Sequence, residues 1–100
     1  MDFETIEQKV IEWGELRKLY SKSNAPLQMI KLQEELEELD EALSLKYPGT
    51  YIKDAIGDIL VVLTHIAHFS DFDLTSCYLH AYNEIKDRKG KVINGLFVKE

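Results

Sequence analysis

One hundred residues suffice for one domain, spanning 1–100, or for one subunit of a larger assembly. Apolar residues make up 45% of the chain, which excludes a disordered composition, and a net charge of −6 excludes a broad basic face for nucleic acid. The single cysteine, Cys77, excludes an internal disulfide and a cysteine-based zinc site, and it points to the reducing cytoplasm.

Asp2 is placed to cap a first helix running to about Tyr20. Its apolar positions Phe3, Ile6, Val10, Trp13, Leu16 and Leu19 or Tyr20 recur at steps of three or four. The acidic start Met1-Asp2-Phe3-Glu4 lacks the basic and apolar regions of a signal peptide. Ser21 to Asn24 read as a loop. Pro26 falls in the first turn of a second helix, where its missing N–H costs nothing, and that helix runs to about Lys46. Tyr47-Pro48-Gly49-Thr50 is the turn that follows.

A third helix is expected from about Tyr51 to Phe69. Its length and lack of alternation outweigh its β-branched content. Its longest apolar stretch, Ile59 to Ala67, is broken by Thr64 and His65 and is too short to span a bilayer. Asp73 is a candidate N-cap for a fourth helix, about Leu74 to Lys89, closed by Gly90. Lys91 to Glu100 form a short tail with a brief extended piece at Leu96-Phe97-Val98. Short connections between such helices predict an all-α, four-helix bundle-like subunit.

The carboxylates carry the chemistry. At about 100° per residue, with Glu34 at zero, Glu38 falls near 40°, Lys31 near 60° and Glu35 near 100°. They form a patch beside an apolar stripe of Met29, Leu32, Leu36, Leu39 and Leu43. Glu41 lies at its edge, whereas Glu37 and Asp40 point away. On the third helix Asp54, Asp58 and His65 share one face, and Asp58 sits inside the apolar run Ala55–Leu63. An unpaired charge in an apolar core is too costly to keep. A divalent cation shared by the two segments resolves that cost, and oxygen ligands suit Mg²⁺ or Mn²⁺. Gly57 is a candidate point of close helix approach. Taken singly, the Glu-rich run reads as a solvated face, and Asp58 as paired with Lys31 or Arg88.

Lys31-x-x-Glu34-Glu35-x-x-Glu38, a turn, and then Gly57-Asp58 in an apolar helix resembles the MazG-like all-α nucleoside triphosphate pyrophosphohydrolases. The stretch Asn83 to Lys99 is similar to the ending of short MazG-like proteins, many carried by phages. The likeness covers most of the chain. It departs from the family's distal Glu-x-x-Asp, because Ala55 stands where the glutamate is expected. Asp54, one turn before Asp58, is the candidate substitute. The resemblance implies an all-α fold, homodimers or homotetramers, and Mg²⁺-dependent hydrolysis of an NTP or dNTP to monophosphate and pyrophosphate. It implies metal ligation by Glu35, Glu38, Asp54 and Asp58, with Glu34 or Glu35 orienting the attacking water.

Lys31, Lys86, Arg88 and Lys91 are candidate phosphate cations, and Asn83 and Asn94 candidate phosphate or base contacts. Cations at Lys86 to Lys91 also suit a helix C-terminus on dipole grounds alone. Trp13, Tyr51 and Tyr82 are candidate base-stacking residues, although aromatics at helical spacing more often pack in a core. The rival reading is a non-catalytic acidic helical protein that binds a partner. A di-iron bundle would need Glu-x-x-His pairs, which the sequence lacks.

Overall fold

A computed structural model describes all residues, 1–100. The chain is mostly helical, with 71% of residues in five helices, and it ends in a small two-stranded sheet. The helices are α1 (Phe3–Leu16), α2 (Leu19–Lys22), α3 (Ala25–Ser44), α4 (Gly49–Phe69) and α5 (Leu74–Ile85). The strands are β1 (Gly90–Ile93) and β2 (Leu96–Lys99).

Three helix starts follow from side-chain caps. Asp2 accepts from the Thr5 N–H, Asn24 from Leu27 and Asp73 from Ser76. Two helix ends follow from single left-handed residues, Lys46 and Asp71. Beyond each, an amide reaches back to close the last turn: Tyr47 N–H to Ala42 C=O, and Phe72 N–H to Ala67 C=O, both at 2.9 Å.

The expected first helix is two. Lys18 adopts a left-handed φ of 60°, so the chain turns and restarts as α2. That turn returns Tyr20 to α4, where its hydroxyl hydrogen-bonds His65 Nδ1 at 2.7 Å. Burial and then the charge of Glu15 push the Tyr20 phenol up to about 12. His65 is buried, and burial followed by the neighbouring His68 lowers its pKa. It therefore faces Tyr20 and Trp13 rather than the acidic patch.

The expected fourth helix is shorter than its sequence suggests. It stops at Ile85, and Gly90 opens a hairpin instead of closing a helix. Gly90 pairs with Lys99, Lys91 with Val98, Val92 with Phe97 and Ile93 with Leu96. The two-residue turn is Asn94-Gly95, with φ of 51° and 82°. Both central residues of such a turn need positive φ, which Asn tolerates and Gly adopts freely.

The main packing is α3 against α4. α1 lies on α4, and α5 packs on both α1 and α4. Only 11 of 100 residues are buried, so the helices enclose a thin core. Small side chains set the α3–α4 approach: Ala42 and Ala55 are 2% and 5% exposed. Gly57 plays no part in it, since a Cβ there would meet nothing within 4 Å. No single helix is long and apolar enough to cross a membrane.

A contact between distant segments fixes α5. Glu7 of α1 is buried and caps the α5 N-terminus from outside, accepting from the backbone of Leu74 and from Thr75 N–H at 3.0 Å and its hydroxyl at 2.6 Å. A carboxylate at a helix N-terminus satisfies orphan donors and meets the positive end of the dipole.

Candidate metal centre

The α3 face turned toward α4 is not the leucine stripe expected. Leu32, Glu35 and Ala42 are buried and Leu39 is half-buried, while Met29, Leu36 and Leu43 are 43–57% exposed. The helix is therefore rotated by some tens of degrees from the expected phase. This rotation carries Glu35 into the α3–α4 interface, where it is 5% exposed.

Asp58 has the opposite fate. It stands at an exposed position on α4, so the buried, costly carboxylate is Glu35 and not Asp58. The apolar neighbours of Asp58 in sequence are shared between several faces of α4, of which only Ala55 and Val62 are buried on that stretch.

Glu35, Glu38 and Asp58 each offer an oxygen, and these atoms all lie within 4.8 Å of one another. Lys31 binds the other side of the group, with Nζ 3.3 Å from Glu35 Oε1 and 3.4 Å from Glu34 Oε2. Those bonds raise the Lys31 pKa, Glu35 first and Glu34 second. They leave Glu35 Oε2 buried with no hydrogen-bond partner. A buried acceptor without a partner loses its hydration and recovers nothing, at about 1–3 kcal/mol, more when charged.

The electrostatics agree. The Glu38 carboxyl is pushed up, first by the adjacent Glu35 carboxylate, which favours a shared proton and repels a second charge, with Asp58 adding to the effect. Asp58 is pushed up by partial loss of water, then by the charges of Glu35 and Asp54, with Lys31 opposing. Either a proton or a cation relieves the group.

The sign of the pH effect follows. A carboxyl whose pKa is raised on folding binds its proton more tightly in the folded state. The metal-free fold is then best stabilised by this group below the unfolded pKa, and that contribution is lost as pH rises through the folded value. In urea titrations with EDTA, wild type is expected to lose stability relative to Glu38→Gln as pH rises from about 4 to 7. Saturating Mg²⁺ is expected to reverse the sign of that difference, because a bound cation holds the carboxylates deprotonated.

Asp54 lies outside the close triad. It lines the same cleft, a cavity of about 300 Å³ walled by Glu38, Glu41, Ala42, Tyr47, Tyr51, Asp54, Ala55 and Asp58. Ala55 is buried in the interface. Two cleft residues were not singled out as functional from the sequence. Glu41 accepts a hydrogen bond from the Tyr47 hydroxyl at 3.1 Å, and the Tyr47 ring meets Tyr51 edge-on at 5.4 Å. Glu41, Tyr47, Tyr51 and Asp54 occur at steps of three to six across the turn, which is the only sequence signal of this wall.

Of the candidate substrate residues, only Lys31 stands at the centre. Asn83 is exposed on α5, and Lys86, Arg88, Lys91 and Asn94 are exposed beyond it, with Asn94 committed to the hairpin turn. None of these lines the cleft. Trp13 stacks on His65 beneath the Arg17 guanidinium and lines a side cavity with Lys9 and Asp58, separate from the cleft that Tyr47 and Tyr51 line, whereas Tyr82 lies along an apolar groove of α5 away from the carboxylates. The chain matches no family model, and no curated protein or solved structure matches it.

Proposed function

We propose that the α3–α4 cleft holds a divalent cation, Mg²⁺ with Mn²⁺ as a substitute, and that the protein hydrolyses nucleoside triphosphates to the monophosphate and pyrophosphate. The observation that carries the reading is Glu35 Oε2, a buried acceptor without a partner, on a carboxylate grouped with two others of raised pKa. The all-oxygen donor set of Glu35, Glu38 and Asp58 fits a hard cation. The spacing of these residues and of Lys31 supports the MazG-like reading, and with it a subunit of the all-α pyrophosphatase type that works as a homodimer or homotetramer.

A cation there would neutralise phosphate oxygens as charge develops on the leaving pyrophosphate. The chain's residues supply the rest. Lys31 fixes the rotamers of Glu34 and Glu35. Glu35 is paired with Lys31 and would be a ligand of the cation, so exposed Glu34 is the residue to orient the attacking water and take its proton. The water oxygen bonds to the α-phosphorus, the bond to the α–β bridging oxygen breaks, and pyrophosphate departs with that oxygen. Asp54 holds the outer side of the cleft, and the Tyr47–Tyr51 pair offers an aromatic wall for the base.

The acidic-binder reading required Asp58 to pair with Lys31 or Arg88. Lys31 is paired with Glu34 and Glu35 instead, and Arg88 takes part in no ion pair. Asp58→Asn and Glu38→Gln are expected to lower turnover of NTPs or dNTPs by at least about 100-fold while leaving the circular dichroism spectrum unchanged. Wild-type turnover by either variant would refute the site.

A further inference from the structure

A folded monomer of this mass exposes about 5,800 Å². This chain exposes 7860 Å². Its radius of gyration is 15.8 Å, against about 13 Å for a compact chain of 100 residues. The excess, about 2,000 Å² per chain, is what each subunit of a permanent dimer hides.

The C-terminal arm is the plainest source of that excess. Every residue of the hairpin is exposed, on both faces. Lys91, Ile93, Leu96 and Val98 share one side and Val92 and Phe97 the other, by the pairing register. A lone two-stranded hairpin is marginal in water, and this one carries apolar side chains on both sides with nothing covering them. The uncovered surface continues onto α5, where Tyr78, Leu79, Tyr82 and Ile85 are 56–70% exposed.

Charge identifies the cover. Residues 86–99 hold five of the 12 cations against one of the 18 acids, a surplus of four on a chain of net charge −6, so the remainder carries ten negative charges. The acidic cleft shows the reverse character: Glu38, Glu41, Asp54 and Asp58 stand beside a rim of exposed Tyr47 and Tyr51, and the cation bound to this carboxylate group, Lys31, is already shared between Glu34 and Glu35. Such a cleft cannot hold a triphosphate on one metal ion alone, because several phosphate charges remain unmatched. The arm has cations free of ion pairs, which the cleft lacks, and apolar sides that fit its aromatic rim.

We infer that two copies exchange C-terminal arms, each hairpin lying over the acidic α3–α4 cleft of the other copy so that its Arg88 and Lys91 meet the substrate phosphates there. This rests on the hydrolase reading for the phosphates, but not for the exchange. The exchange is reciprocal and closes at two copies, since each copy offers one arm and one cleft. Arg88 and Lys91 then bind substrate in the partner's site.

The test uses wild-type chain, half of it ¹⁵N-labelled, mixed through unfolding and refolding and treated with a carbodiimide that joins lysine to carboxylate directly. Peptides joining Lys89, Lys91 or Lys99 to Glu38, Glu41 or Asp58 are expected, about half of them carrying one label of each kind, as random pairing of two copies requires. Links within one chain only, or sedimentation at the monomer mass, overturn the exchange. A second mixture combines Asp58→Asn with the Arg88→Ala/Lys91→Ala double variant. Each is expected to be inactive alone, and together they are expected to recover about a quarter of wild-type turnover, since half of the dimers carry one whole site. No recovery, with wild type active, overturns delivery of cations between copies. Links between chains, with wild type turning over no nucleotide, uphold the exchange and defeat the hydrolase reading.

Discussion

Glu35→Leu is expected to be more stable than wild type in EDTA, by about 1–3 kcal/mol, and less stable in saturating Mg²⁺. Without a cation, wild type keeps a buried carboxylate whose Oε2 has no partner and whose charge faces Glu38 and Asp58. Leucine removes the orphan oxygen and the repulsion, and Lys31 keeps Glu34. With a cation, wild type gains binding free energy, about 2.7 kcal/mol at a hundred times Kd, and the variant gains none. Melting curves with and without Mg²⁺ should therefore cross in rank. At about 4–8 °C per kcal/mol for a domain of this size, both shifts are easily resolved. A variant that melts below wild type in EDTA would show that Glu35 holds the fold together by itself.

Glu7→Ala is the substitution expected to cost the most stability, about 3 kcal/mol, or roughly 12–24 °C in Tm. It leaves the Leu74 and Thr75 amides and the Thr75 hydroxyl without their acceptor at the start of α5. Glu7→Gln should be nearly as costly, because its amide group brings donors toward donors and loses the charge that the helix dipole favours. Thr75→Val should cost about 1 kcal/mol, one hydrogen bond of the set. Amide exchange resolved along the chain should show α5 opening first. A Glu7→Ala protein with an unchanged Tm would mean that α5 is held by its apolar contacts instead.

Residues whose partners lie nearby were readable in the sequence. Asp2 and Asp73 cap helices three residues on, Pro26 sits at the start of α3, and the α3–α4 turn falls where Tyr47 and Pro48 put it. The Glu35–Glu38–Asp58 grouping was also legible, because helical spacing and one short turn define it. Where partners are distant, the sequence was silent. Glu7 looks like a surface glutamate beside Ile6 and Val10, and its three donors come from residues 67 and 68 positions away. The phase of α3 differs from the one its leucines suggest, because they outnumber its small residues. The closest approach, however, is governed by Ala42 and Ala55, which bring Glu35 inward. The hairpin carries a local signal, Asn94-Gly95 between two apolar pairs, although the cations around it also suit the end of a helix. The break at Lys18 has no comparable signal, since a lysine at positive φ follows from Tyr20 reaching His65.

These effects converge on one chemistry. The fold buries a carboxylate it cannot satisfy alone, raises the pKa of two others beside it, and walls the cleft with aromatic and acidic groups. Incubation of the purified protein with a panel of NTPs and dNTPs in Mg²⁺, with products resolved by ion exchange, tests the proposed hydrolysis most directly. Monophosphate and pyrophosphate in equal amounts from at least one nucleotide, abolished by EDTA and by Asp58→Asn, is the result predicted. Diphosphate with free phosphate, or no turnover on any nucleotide together with a Tm that Mg²⁺ leaves unchanged, would contradict it.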